Sequence, residues 1–121
     1  MLATVLVTGI LIVIGLDTLG SLASRKWSFR YSALAPLSFL AYAAVGYLAA
    51  RSGTAVQAAA TAGAVGLIDA TVGWRISWLI GPGRLPVDQA RPNAIAQRVA
   101  IVVVLAVLLG FAGAVVARRA A

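Results

Sequence analysis

Four runs of about twenty mostly apolar residues, separated by short segments rich in Lys, Arg, Gly or Pro, occupy most of the chain. A helix rises 1.5 Å per residue and the hydrocarbon core of a bilayer is roughly 30 Å thick, so each run predicts one transmembrane helix. The spans fall at about 2–20, 31–50, 54–80 and 94–117. The expected fold is therefore all-α: a polytopic membrane protein with one four-helix transmembrane domain over residues 1–121. The first run, LATVLVTGILIVIGL, is longer than a signal-peptide core and has no basic segment before it. It is expected to be a retained span, even though Ser21 to Ser24 supplies small residues of the kind found at cleavage sites. Pro36 is expected to kink the second helix near one end or to mark its start. Gly81-Pro82-Gly83, Pro86 and Pro92 should end the third helix and stiffen a connector containing Asp88, with Asn93 as the cap of the fourth.

The two halves resemble one another. Gly15-Leu16-Asp17-Thr18-Leu19-Gly20 in the first span parallels Gly66-Leu67-Ile68-Asp69-Ala70-Thr71-Val72-Gly73 in the third, and each is followed by Trp and Arg. Gly46-Tyr47-Leu48-Ala49-Ala50-Arg51 likewise parallels Gly113-Ala114-Val115-Val116-Ala117-Arg118. The match is imperfect, since Gly20 follows Asp17 by three positions and Gly73 follows Asp69 by four. Two copies of a helical hairpin, 1–52 and 53–121, would be related by a pseudo-two-fold axis along the membrane normal, because two spans return the chain to its starting side.

Composition sharpens this picture. The chain is 62% hydrophobic and 11% charged, with a mean hydropathy of +1.00, far above the roughly 45–50% apolar usage of soluble domains. The net charge of +7 implies no nucleic-acid partner, because the basic residues lie between apolar runs, where they hold loops against anionic headgroups. Arg25, Lys26 and Arg30 follow the first span, and Arg75, Arg84, Arg91 and Arg98 surround the third connection. Only Arg51, Arg118 and Arg119 lie on the opposite side. The positive-inside rule then puts both termini outside the cytoplasm. Trp27, Phe29 and Tyr31, and Trp74 with Trp78, fall where an interfacial aromatic belt is expected. Nine of ten basic residues being Arg, together with abundant Ala, suggests a GC-rich bacterium and hence its inner membrane. There is no Cys and no His, which excludes thiol and imidazole chemistry; no metal and no cofactor is implied, and no enzyme is expected.

The chemistry of interest is intramembrane. Asp17 and Asp69 are the only acidic residues in the predicted spans, at matching depth a few residues inside the same boundary. An ionisable group there needs water or a partner. Crossed pairs, Asp17 with Arg75 and Asp69 with Arg25, would make them structural; a shared charge across a helix interface would make them a proton or cation site. Thr18 and Thr71 extend the candidate polar site, although threonine in such helices often bonds its own i−4 carbonyl, as Thr8 and Thr61 also can. Small residues at every fourth position, Ala62, Gly66 and Ala70 in the third span and Ala106, Gly110 and Ala114 in the fourth, make packing seams between spans or between protomers. Thin Ala-rich helices enclose little volume, so a homo-oligomer or a partner membrane protein is expected.

Small multidrug exporters and dual-topology fluoride channels share this size and span number. The exporters' Glu within the first span is missing, as are the fluoride channels' Arg-Tyr pair after a Gly-rich opening, Asn in span two and Phe-rich stretch in span three. No family is assigned on size alone. The leading expectation is a non-catalytic membrane scaffold or accessory subunit bound to lipid and partner helices. The sharper alternative is a subunit that transports or conducts a small solute or ion through Asp17 and Asp69.

Overall fold

A computed structural model of the chain describes residues 2–28, 35–81 and 91–120. In these residues the chain forms α1 (Leu2–Trp27), α2 (Ala35–Ala50), α3 (Ala55–Ile68), a π-helical turn (Asp69–Gly73), α4 (Trp74–Ile80) and α5 (Pro92–Ala120). The stretches Leu2–Trp27, Ala55–Ile80 and Pro92–Ala120 are long and apolar enough to cross a membrane, and Pro36–Ala50 is a shorter apolar helix. Among the described residues the protein is entirely helical and turn, as the apolar runs require.

Several boundaries differ from the sequence expectation for identifiable reasons. The first helix continues to Trp27 instead of ending near Gly20, because Ser21 and Ser24 share the buried face of Gly9, Val13 and Asp17 and are covered by other helices. The third span is not one continuous α-helix; a π turn with an i→i+5 bond from the Trp74 amide to the Asp69 carbonyl interrupts it. Asn93 is not a cap. It lies inside the first turn of α5, which opens with Pro92, whose fixed φ and missing N–H suit the first helical position. Pro36 sits in the first turn of α2 for the same reason. The expectations for Phe29, Arg30, Tyr31, Arg84, Pro86 and Asp88 lie outside the described residues.

Between α2 and α3 the chain turns within a few residues. Thr54 and Gln57 form a capping box: the Gln57 amide donates to Thr54 Oγ1 at 3.1 Å and the Thr54 amide donates to Gln57 Oε1 at 2.9 Å. Two orphan amides are satisfied where the helix starts. At the other end of this span Gly81, with φ +131°, stops α4 in a backbone conformation that only glycine adopts without strain.

The bundle is small inside and large outside. One core cluster holds Val13, Tyr42, Val45, Ala62, Val65 and Ala106; a second holds Ala49, Ala58 and Ala114, with Leu2, Val5 and Ala55 against it. Large apolar side chains face outward, Leu19 at 70% and Val56 at 76% exposure among them. In water such a surface would aggregate, whereas lipid solvates it, and close approach of backbones through small residues supplies the packing. The seam residues meet directly. A β-carbon on Gly110 would strike Ala62 and lie 3.5 Å from the Ala59 Cα, and one on Gly66 would lie 2.5 Å from the Ala106 Cβ. Ala70 is only half-buried. α2 and α5 touch through Gly46, Gly110 and Gly113. Leu2 packs beside Ala49 and Ala114, so the chain's start lies at the end of the bundle where α2 and α5 finish.

Candidate functional site

Gly9, Val13, Asp17, Ser21 and Ser24 are the buried residues of α1. Their spacing of four, four, four and three keeps them on one face of a 3.6-residue helix. That face is apolar for its first half and polar for its second. Asp17 is 6% exposed and Ser21 fully buried. Asp17 stands ten residues before the end of α1, about 15 Å along the helix axis, well short of its terminus.

The opposing wall comes from the π turn and α4. Asp69 opens the turn and Gly73 closes it, both buried, and Ser77 follows four residues later with no exposure. Gly73 is where the two acids converge. A β-carbon there would collide with Asp17 Oδ2, lie 3.0 Å from Asp17 Cγ and lie 3.1 Å from Asp69 Oδ1. The Asp17 Cγ and Asp69 Oδ1 atoms are therefore no more than about 6 Å apart, the sum of the last two distances. Glycine at this position removes the side chain that would otherwise keep the carboxylates separate.

Tyr42 completes the cluster from α2. Its ring is in the apolar core, 1% exposed, and its hydroxyl donates a hydrogen bond to Asp69 Oδ2. The Ser21 and Ser77 hydroxyls, both fully buried, have no hydrogen-bond partner among the described residues. An unsatisfied buried hydroxyl costs about 1–3 kcal/mol, a cost that an apolar residue at either position would avoid. At the far end Arg25 Nη1 donates to the Ile80 carbonyl at 3.3 Å, tying the end of α1 to the last turn of α4.

The remaining candidates fall elsewhere. Neither crossed pair forms: Arg25 is engaged with the Ile80 carbonyl rather than with Asp69, and Arg75 is exposed, with no ion pair to Asp17 among the described residues. Thr71 bonds back to the Leu67 carbonyl at 2.6 Å, with a longer contact to the Ile68 carbonyl at 3.4 Å, and Thr61 bonds to the Gln57 carbonyl at 2.7 Å. Thr18 is half-buried and Thr8 exposed. Trp74 and Trp78 stack edge to face, 5.2 Å between centroids.

Sequence reading missed Tyr42, Ser21 and Ser77. The serines carried a signal, since Asp17 to Ser21 and Asp69 to Gly73 to Ser77 repeat every fourth residue and so share helix faces. Tyr42 carried none beyond being a phenol in the middle of an apolar run that also holds Tyr47. No family model, no curated protein and no solved structure matches the chain.

Proposed function

We propose that the chain is a small integral membrane subunit that transports or conducts a small cation, a proton or an alkali ion, using Asp17 and Asp69 as a shared binding site. One observation carries the reading: two acids from different helices are buried against one another across Gly73. Two carboxylates facing each other out of water repel strongly unless a cation or proton lies between them. Tyr42 holds Asp69 in place, and the Ser21 and Ser77 hydroxyls continue the polar strip from the acids toward the Arg25 end. Val13, Val65, Ala62 and Ala106 form an apolar plug toward the other end. A scaffold needs the small-residue seams but makes no use of the buried acids.

On this reading no catalytic step is involved. The protein sits in a bacterial inner membrane with four spans and both termini on the non-cytoplasmic face, as the Lys and Arg distribution favours, and it works as a homo-oligomer. The inexact repeat also finds a physical account. A π turn takes one more residue than an α turn, which absorbs the extra position between Asp69 and Gly73 relative to Asp17 and Gly20. That supports two tandem hairpins about a pseudo-two-fold axis.

Purified protein in liposomes, energised by a pH gradient or by a sodium gradient, is expected to carry one of the two ions well above protein-free liposomes. Flux of neither ion overturns the proposal. The absence of cysteine permits a second test without any background thiols. Ser21→Cys and Ser77→Cys should react with a water-soluble methanethiosulfonate added from the Arg25 end, at least about tenfold faster than Val13→Cys or Ala62→Cys, because only a hydrated thiol ionises and attacks. Equal rates at all four positions, read as mass shifts, would rule out a one-sided water path.

A further inference from the structure

Positive charge at the end of the bundle where the chain starts is left over once topology and the carboxylate site are accounted for. Arg51, Arg118 and Arg119 lie on the side that the positive-inside distribution leaves poor in Lys and Arg, and two of them line one cleft. A cleft of about 430 Å³ between the C-terminal ends of α2 and α5 is lined by Tyr47, Ala50, Arg51, Ala117, Arg118 and Ala120. This lies within the ordinary size range of small-ligand sites. Asp17 and Asp69 belong to the buried site, so among the described residues no carboxylate side chain lines the cleft. Neither guanidinium makes an ion pair or hydrogen bond among the described residues, although the Arg51 backbone amide donates to the Leu48 carbonyl at 3.3 Å.

We infer that this cleft binds a phosphate group, and that its natural occupant is the headgroup of an anionic phospholipid. The arginines come from equivalent places in the two similar segments, each five residues after a glycine, Gly46 for Arg51 and Gly113 for Arg118. Those glycines are where α2 and α5 approach most closely: a β-carbon on Gly113 would lie 2.9 Å from the Tyr47 amide nitrogen. The close crossing fixes the two helix ends relative to each other and so keeps the backbones that carry Arg51 and Arg118 on either side of one cleft. A single arginine in a last turn is explained by the helix dipole. Two in one cleft beside a phenol hydroxyl, with alanines as its apolar floor, match a phosphodiester, whose oxygens accept forked guanidinium bonds while the glycerol lies on the alanines. The lipid is favoured over a soluble phosphate because α2 and α5 end here, beside outward-facing Leu48 and Val116, at the level where spans leave the hydrocarbon.

Titrating short-chain phosphatidylglycerol and phosphatidylcholine into the full chain in neutral detergent, with bound lipid read by native mass spectrometry, tests this. Phosphatidylglycerol is expected to bind at least about tenfold more tightly, and Arg51→Gln/Arg118→Gln to remove that preference, since a charge-assisted bond is commonly worth a factor of ten or more. Arg118→Gln alone, at an exposed position in the last turn of α5, should give a smaller loss with the bundle undisturbed. Inorganic phosphate separates the sources. If it competes with the lipid at millimolar concentration, the site reads phosphate itself; if it does not, the site needs the lipid, and both results sustain the inference. Equal binding of the two lipids, or an undiminished preference in the double variant, overturns it.

Discussion

Asparagine at position 17 or 69 is expected to bring cation flux down to that of protein-free liposomes, and alanine at Gly73 to come close to the same result with both carboxylates still in the chain. Asparagine keeps the size of aspartate and removes its charge, so it tests the charge alone. Gly73→Ala tests the convergence. The new methyl would occupy the place of Asp17 Oδ2 and lie 3.1 Å from Asp69 Oδ1, so the Asp17 side chain has to rotate away. Moving a side chain off its rotamer costs about 0.5–1.5 kcal/mol, while alanine gains about 1 kcal/mol over glycine in a helix. The two nearly cancel, and the variant should stay folded with its site pulled apart. Gly15→Ala is the control, since a β-carbon there meets nothing within 4 Å. Thermal unfolding in the same detergent separates function from architecture. Removing one of two facing carboxylates relieves repulsion, so Asp17→Asn and Asp69→Asn should leave the midpoint unchanged or raise it. A fall in both midpoints with flux intact would make the acids structural and end the transport reading.

The parts of this fold legible in the sequence are those set by local pattern. Apolar runs of membrane-spanning length gave the helices, and small residues at every fourth position gave the faces through which Gly66 meets Ala106 and Gly110 meets Ala62. What escaped depends on the partner helix. Hydropathy falls at Ser21, so the first span was expected to end there, but the α1 face carrying Ser21 and Ser24 is covered from outside the segment. Charge sign alone made Arg25 and Arg75 credible partners for the acids; the fold turns Arg25 to a carbonyl and Arg75 outward. The π turn was hidden because nothing in Asp69-Ala70-Thr71-Val72-Gly73 distinguishes an i→i+5 bond from an i→i+4 one. The acids were found because ionisable groups in a span are rare enough to stand out, and the tyrosine was missed because its contact with Asp69 joins positions 27 residues apart.

The largest loss of stability is expected from one methyl group, at Gly46. A β-carbon there would lie 2.5 Å from the Gly110 carbonyl carbon and closer still to its Cα and oxygen. These are backbone atoms on the facing helix, and no side-chain rotation relieves the contact. Gly46→Ala therefore forces α2 and α5 apart along the stretch where Val45, Ala49 and Ala114 are buried. Overpacking of a well-filled interior typically costs about 1–3 kcal/mol, and a backbone-to-backbone clash belongs at the upper end. In lipid nothing draws the separated helices back, since the acyl chains are as apolar as the side chains exposed. Gly63→Ala makes the contrast, because its nearest obstacle is the Val107 Cγ2 at 2.7 Å, a methyl that another valine rotamer removes. Glycine to alanine in an unobstructed helix should stabilise by about 1 kcal/mol, so the sign of the change is itself the readout. Unfolding by sodium dodecyl sulfate in mixed micelles should rank Gly15→Ala at or above the wild type, Gly63→Ala slightly below it, and Gly46→Ala lowest by about 3 kcal/mol. If Gly46→Ala unfolds with Gly15→Ala, α2 and α5 do not touch at Gly110, and the crossing that sets the spacing of Arg51 and Arg118 goes with it.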